Sequence, residues 1–445
     1  MKRRTMNYGG SLFLLSIVAF AAPAYAEDNV FAEEPGATTQ ATPGTQGSQN
    51  TPAPSGKRPP PPELSGIDEA LSRNTQVPRN AAVPAPEPTG LRFKPVGGIE
   101  AYYSVNFNTP TNGLTAFRGF DAQHNSITMS NAYLGGEATL SEFSARLVLQ
   151  WGPTGAAYYS AEPVKAGGGG VPASNPNLWQ YVQEATFKFA SKKVHLEGGL
   201  FLSPIGPEGM LVADNWNYSR SNLFYALPYY HMGLRFKYAI TDDVSLIAMI
   251  VNGWNNVVDN NVGKTFIVGA NVHPGDHIEA QVLANAGIER DKVAAEGQPW
   301  RMDFDAWLKV NYPKWGVMAH LNGGFEPNRF GTSSFWGGAI YGRYALVEKL
   351  WLVGRVDRFS EKRGTSATGT ASPIFLAGSD WVTSFTATLA WEAHQHLDLR
   401  MELRHDMSAS PLYFRDTAPG NGITTPFLPN ALNQTTILLG AIVHI

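Results

Sequence analysis

The sequence predicts an all-β fold: a transmembrane antiparallel β-barrel of about sixteen strands, preceded by a disordered, proline-rich segment. Three observations predict it. From about Phe93 to Ile445 apolar and polar residues alternate with a period of two. The connections between these runs alternate long and short, the rhythm of a barrel with short periplasmic turns and long external loops. The N-terminus reads as an export signal, and no later segment is long and apolar enough for a membrane helix.

The N-terminus comes first. Lys2, Arg3 and Arg4 precede an apolar run from Ser11 to Phe20, and Ala24-Tyr25-Ala26 offers small residues for cleavage before Glu27. The apolar run falls short of the roughly 18 to 20 residues a membrane anchor needs. Residues 1–26 are therefore expected to be a signal peptide, leaving a soluble periplasmic protein, a secreted protein or an outer-membrane barrel. Residues 27–92 are rich in Pro, Gly, Thr and Gln and include Pro59-Pro60-Pro61-Pro62. Such a stretch cannot bury enough apolar surface to fold alone and reads as a periplasmic spacer of polyproline character. Leu64, Ile67 and Leu71 could line a short helix, read here as transient. The barrel is assigned to 93–445.

Composition narrows the class. The chain has no cysteine, so an exported protein of this size must draw stability from elsewhere, and a closed hydrogen-bond ladder supplies it. The formal charge is −3, and without Lys2, Arg3 and Arg4 it becomes about −6, which argues against a nucleic-acid partner. Glycine, at 45 residues, and aromatics, at 11 %, suit close strand packing and aromatic girdles.

Each strand shows two faces. Ile99, Ala101, Tyr103, Val105 and Phe107 oppose Glu100, Tyr102, Ser104 and Asn106. Phe143, Ala145, Leu147, Leu149 and Trp151 oppose Ser144, Arg146 and Gln150. Met302, Phe304, Ala306, Leu308 and Val310 oppose Arg301, Asp303, Asp305 and Lys309. Leu397, Leu399, Met401 and Leu403 oppose Asp398, Arg400, Glu402 and Arg404. A soluble sandwich also alternates, but many of these runs approach the roughly 9 to 11 residues that cross a bilayer. The last run, Ile437, Leu439, Ala441, Val443 and Ile445, ends with the chain and suits a closing strand.

Short turns are expected at Ser141-Glu142, Ser191-Lys192, Thr241-Asp242-Asp243, Pro274-Gly275-Asp276, Pro313-Lys314, Val347-Glu348 and Glu392-Ala393-His394. Longer loops are expected near 108–124, 152–177, 203–229, 255–263, 288–299, 323–333, 361–380 and 407–433. That set gives about sixteen strands with both ends in the periplasm. Trp151, Trp179, Trp254, Trp300, Trp315, Trp336, Trp351, Trp381 and Trp391 fall at loop or turn junctions and are expected in interface belts.

If the apolar faces meet lipid, the polar faces line a lumen. The expected lining carries both signs: Arg146, Glu184, Lys188, Arg235 and Lys237 on one group of strands, then Arg301, Asp303, Arg355, Asp357, Arg400 and Arg404 on another. Taken singly, each could be an ion pair between neighbouring strands; as a set they imply a wet interior. The loop 203–229 stands apart. With Met210, Leu211, Val212, Trp216, Leu223, Phe224 and Tyr225 it is too apolar to sit in solvent. It is expected to fold inward and present Glu208, Asp214, Asn215 and Arg220 to a narrowed pore; a contact between protomers or a lid over the mouth are the alternatives.

The segments Gly199-Leu200-Phe201-Leu202-Ser203-Pro204-Ile205-Gly206-Pro207-Glu208, Asn215-Trp216-Asn217-Tyr218-Ser219-Arg220-Ser221 and Pro228-Tyr229-Tyr230-His231-Met232-Gly233-Leu234-Arg235 resemble the OmpL-like β-barrel porins of Gram-negative bacteria. Val251-Asn252-Gly253-Trp254 and Val353-Gly354-Arg355-Val356-Asp357 fit the same family. The resemblance covers about Pro95 to Ile445 and implies a pore in the outer membrane, with no particular solute. Ile445 departs from the aromatic residue that often ends such barrels.

Other chemistry is thinly represented. Gly167 to Gly170 lack a following Lys-Ser/Thr and read as a flexible loop rather than a nucleotide site. His394, His396 and His405 have no diagnostic metal spacing. Ser219 sits in no nucleophile elbow, and Asp303 with Asp305 could hold a cation but form no acid–base pair. No catalytic residue, cofactor or metal is expected. The expected function is a porin for passive diffusion of small hydrophilic solutes or ions. A structural or adhesion barrel and an outer-membrane enzyme are the alternatives. Expected partners are outer-membrane lipids, solutes, further copies in a trimer, and peptidoglycan or a periplasmic partner through the spacer.

Overall fold

Sixteen antiparallel strands pair in chain order, and the last closes onto the first, giving a closed barrel with no free edge. The computed structural model describes residues 90–445 apart from 164 and 167–171. The expectations for 1–26, for the spacer up to 89 and for Gly167 to Gly170 lie outside the described residues. The strands are β1 (92–106), β2 (126–140), β3 (143–151), β4 (182–190), β5 (194–202), β6 (230–239), β7 (244–251) and β8 (265–272). They continue as β9 (278–288), β10 (300–311), β11 (315–328), β12 (331–347), β13 (350–362), β14 (381–394), β15 (397–408) and β16 (433–444). Closure pairs Ala101 with Ala441 and Ile99 with Val443, so the C-terminal alternation is what seals the ring.

Outward positions are the apolar ones. Ile99, Phe143, Leu147, Phe187, Phe304 and Leu439 are all about half exposed, and the residues between them are covered. A soluble sheet would bury these side chains; a bilayer solvates them. Phe304, at the middle of β10, tests this: Phe304→Arg puts a charge at mid-bilayer. It is expected to destabilise the folded barrel by about 2–4 kcal/mol, read as a lower urea midpoint of the heat-modifiable gel band in lipid.

Several boundaries differ from expectation. The sixth external connection, expected over 323–333, is the two-residue turn 329–330, because β11 and β12 stay paired from Trp315↔Tyr344 out to Asn328↔Gly331. The last short turn is Gln395-His396 rather than 392–394, since β14 continues to His394 with an irregularity between Glu392 and His394. The belt expectation also divides. Trp151, Trp300, Trp315, Trp336 and Trp391 are exposed on the outer surface. Trp351 is buried and Trp254 faces Arg301 and Phe375, so both point inward.

Two of the external loops carry secondary structure of their own. The second carries a short helix, α1 (153–158), a one-turn helix, α2 (176–179), and a strand pair at 165–166 and 172–174. The seventh carries a second such pair, at 364–365 and 371–372. In the first loop, His124 Nδ1 accepts the Asn106 N–H at 2.9 Å, and burial holds its pKa below the ordinary value, which keeps that nitrogen an acceptor.

Candidate functional site: the lumen and the loop that crosses it

The connection between β5 and β6, residues 203–229, lies inside the barrel. Carboxylates on the inner wall grip its backbone. Glu100 on β1 accepts from Val212 N at 2.6 Å, and Glu402 on β15 accepts from Tyr218 N at 2.8 Å and Ser219 N at 3.2 Å. Asp357 on β13 accepts from Asn222 N at 2.8 Å, and Asp305 on β10 accepts from Gly206 N at 3.1 Å. Arginines bind its carbonyls. Arg400 donates to Val212 O at 2.9 Å and Asn217 O at 2.8 Å. Arg404 donates to Arg220 O at 2.5 Å, and Arg355 donates to Ser219 O at 2.5 Å and Arg220 O at 3.1 Å. These are charge-assisted bonds to backbone groups, so the wall fixes the path of the loop largely without using its side chains.

The apolar side chains of the loop fill what remains. Trp216, Leu223 and Ala226 pack with Met318, Phe335, Ala339, Tyr341, Val353 and Phe359 on β11–β13. Ile205 and Leu227 share a cluster with Phe201, Ile247, Met249, Val251, Ile267 and Leu283 on β5 and β7–β9. Leu211 joins Val96, Tyr133 and Val148, and Tyr218 joins Tyr102, Leu438 and Ile442. A Cβ on Gly440 would come within 2.3 Å of the Tyr218 ring, so the wall is recessed where the ring docks. At the tip, Trp216 stacks on Arg343, with the guanidinium 4.7 Å from its ring and 4.5 Å from that of Trp351.

The predicted residues fall into three groups. Glu208, Asn215 and Arg220 are buried and hold the loop's own shape, with Glu208 also meeting Arg355 on the wall at 3.1 Å. Glu208 accepts from Ser221 N at 3.1 Å, Asn215 donates to Leu211 O at 2.7 Å, and Arg220 donates to Gly209 O at 3.1 Å and Tyr218 O at 2.9 Å. Asp214 is half-buried beside them. Arg355, Asp357, Arg400 and Arg404, expected on a wet face, are covered by the loop; Arg355, Asp357 and Arg404 are 1 % exposed. Burial without solvent is tolerable because each has charged or backbone partners.

The second group is laterally paired. Arg146 meets Glu184 at 2.7 Å, and Lys188 meets Glu137 at 3.0 Å and Glu197 at 3.7 Å. Arg235 binds Glu197, and Lys237 follows two residues along the same face. This ladder crosses β2–β6 close to the short turns and keeps partial solvent access. The third group is at the opposite end of the strands. Arg301 donates to Glu326 at 2.8 Å, and Arg290 reaches the same carboxylate at 2.7 Å. Asp303 accepts from Asn285 at 2.9 Å and Asn322 at 3.0 Å; Asp305 also holds His320 Nε2 at 2.7 Å. Both aspartates thus have partners, and among the described residues no group of three or more His, Cys, Asp or Glu is arranged to hold a metal.

Arg118 and Asp121 were not among the residues expected from the sequence. Arg118 in the first loop binds Asp121 at 2.6 Å and Asp406 on β15 at 2.9 Å, latching that loop inside the mouth. The signal was faint: an arginine and an aspartate at i,i+3 in an otherwise weakly charged loop.

Comparison with known proteins agrees with this architecture. The family model described as "Putative beta-barrel porin-2, OmpL-like" matches residues 92–445. No curated protein sequence matches the chain. Among solved structures, OmpT of Vibrio cholerae aligns with a TM-score of 0.51 at 9 % identity, covering 82 % of this chain and all of that one. The outer-membrane channel DcaP of Acinetobacter baumannii gives 0.50 at 10 % identity, over 82 % of this chain and 100 % of that one. An anion-selective porin from Comamonas acidovorans gives 0.50 at 10 % identity, over 80 % and 100 %. At these identities the likeness concerns the fold.

Proposed function

The chain belongs to the OmpL-like family of β-barrel porins, and from that premise we propose that solute passes its lumen only under the control of loop 203–229. The protein is an outer-membrane porin, a channel for passive diffusion of small hydrophilic solutes or ions. The single observation that carries the finer reading is the grip on the loop backbone by Glu100, Asp305, Asp357 and Glu402 from four separated strands. A barrel of this size is otherwise wide enough for an aqueous channel.

The ladder Arg146, Glu184, Lys188, Glu197, Arg235 and Lys237 is proposed as the lining that a solute meets on the periplasmic side, with Arg146, Lys188 and Arg235 partly solvated. Because most of its charges pair across neighbouring strands, it favours small polar solutes. Glu208, Asp214, Asn215 and Arg220 are proposed to act by shaping the constriction. Export is proposed to use 1–26, with 27–92 a periplasmic spacer able to reach peptidoglycan. An OmpT structure of Vibrio cholerae is described in a trimer form; we extend a trimer to this chain as a proposal.

Liposome swelling tests the function. Vesicles holding the purified mature chain are expected to swell in isotonic small sugars and amino acids, with rates falling steeply as solute size rises. Swelling no faster than protein-free vesicles for every solute would overturn the diffusion reading.

A further inference from the structure

Loop 203–229 does more than narrow one side of the lumen. Directly or through a shared apolar cluster, it reaches inward-facing residues on all sixteen strands. The polar contacts complete the circuit: Ser130 on β2 meets the Tyr218 hydroxyl at 3.3 Å, Gln183 on β4 meets Met210 sulfur at 3.7 Å, and Thr388 on β14 accepts from Asn217 at 2.8 Å. A fixed eyelet would leave part of the wall wet at the level of the loop. Here the inner wall at that level is as dry as a globular core, with Val148, Ile267, Asp357 and Ile442 at 0–1 % exposure. The partly solvated charges Glu137, Arg146, Lys188 and Arg235 lie three to five residues from the short turns, in a vestibule below the loop.

Building on the channel reading, we propose that the barrel is a gated channel in its closed form, and that loop 203–229 is a plug that must leave the wall before solute passes. Nothing covalent holds it, since the chain has no cysteine. Its attachments are of a kind that water can replace. Glu100, Glu402, Arg355, Arg400 and Arg404 exchange backbone partners for lumen water when the loop withdraws, which offsets much of the cost of uncovering apolar wall. Both legs of the loop carry prolines, Pro204 and Pro207 on one side and Pro228 on the other, and Gly206 has φ +80°. These stiff legs favour movement of the segment as a unit.

A disulfide between loop and wall tests the plug directly. A Cβ on Gly337 would lie 2.7 Å from Leu223 Cγ. One further C–C bond puts the two Cβ atoms within about 4.2 Å, inside disulfide range. Leu223→Cys with Gly337→Cys, in the full mature chain, is to be recorded in planar bilayers oxidised and then reduced, beside wild type and each single variant. The oxidised form is expected to lose at least nine-tenths of the wild-type current, and reductant to restore it. Equal currents before and after reduction, with the cross-link verified by mass, would overturn gating and leave a fixed passage beside the loop. Current absent from wild type as well would instead overturn the channel reading, and the gate with it. Should this pair fail to fold, Tyr218→Cys with Gly440→Cys serves the same readout, because Tyr218 Cγ lies 3.3 Å from the Gly440 Cβ position.

Discussion

Replacing residues 209–223 with a short Gly-Ser linker is expected to raise unitary conductance several-fold. The effect is large because the segment removed contains Leu211, Trp216, Tyr218 and Leu223, the side chains that fill the lumen against β1–β3, β11–β14 and β16. The barrel itself does not depend on them. Its hydrogen-bond ladder runs strand to strand and closes between β1 and β16, so the heat-modifiable gel shift should persist. The wall left behind is mixed. Arg355, Asp357, Arg400, Glu402 and Arg404 become solvated, and the same variant should therefore acquire stronger dependence of conductance on salt and on the charge of the permeant ion. Unchanged conductance would place the passage elsewhere in the barrel and remove the loop from the account.

Arg355→Ala is the second large effect. The guanidinium lies 3.1 Å from Glu208 and 3.4 Å from Asp357, and it also binds Ser219 O, Arg220 O and Thr386 Oγ1. Removing it leaves two carboxylates uncovered by any equivalent donor in a dry region. Breaking a buried pair in this way costs about 3–5 kcal/mol. That cost falls on docking of the loop rather than on the strand ladder. The expected results are a raised open probability and proteolytic nicking within 203–229, while the barrel remains folded. Arg355→Lys keeps the charge but loses the forked donation, and should fall between wild type and Ala. A variant that conducts and resists protease like wild type would show that Arg355 is a bystander.

Much of the fold was legible because lipid imposes the period. Phe304 and Leu147 face hydrocarbon, Asp303 and Arg146 face inward, and the alternation reports this directly. The sixth loop was not legible for a local reason: Gly323, Gly324 and Pro327 read as loop chemistry, yet the hairpin stays paired to Asn328↔Gly331. The rule that apolar means lipid failed on β7. There Leu246 and Ile250 face out while Ile247, Met249 and Val251 face in, because Ile205 and Leu227 cover them from the lumen. Trp351 was misassigned for the same reason: it stacks on Arg343 inside the barrel.

The loop itself was partly legible. Its apolar content demanded a surface to cover, which left the lumen, a neighbouring protomer and the barrel mouth as candidates. What the sequence could not report is which groups hold it. Glu208, Asp214 and Arg220 carry the charge within the loop, so they attract attention as pore residues, yet Arg220 satisfies the loop's own carbonyls and Glu208 divides its bonds between Ser221 and the wall's Arg355. The grip comes from Glu100, Asp305, Asp357 and Glu402, which lie up to 302 residues apart in sequence (402 − 100) and converge only when β16 meets β1. Arg118 and Asp121 sit in a loop with no period to read, and only the fold brings Arg118 to Asp406.

Planar-bilayer recording of the purified mature chain tests whether loop 203–229 obstructs a conducting lumen. Discrete conductance steps are expected for wild type, and larger, more persistent steps when 209–223 is removed. Electrically silent membranes with both proteins, each shown to be folded and inserted, would contradict it.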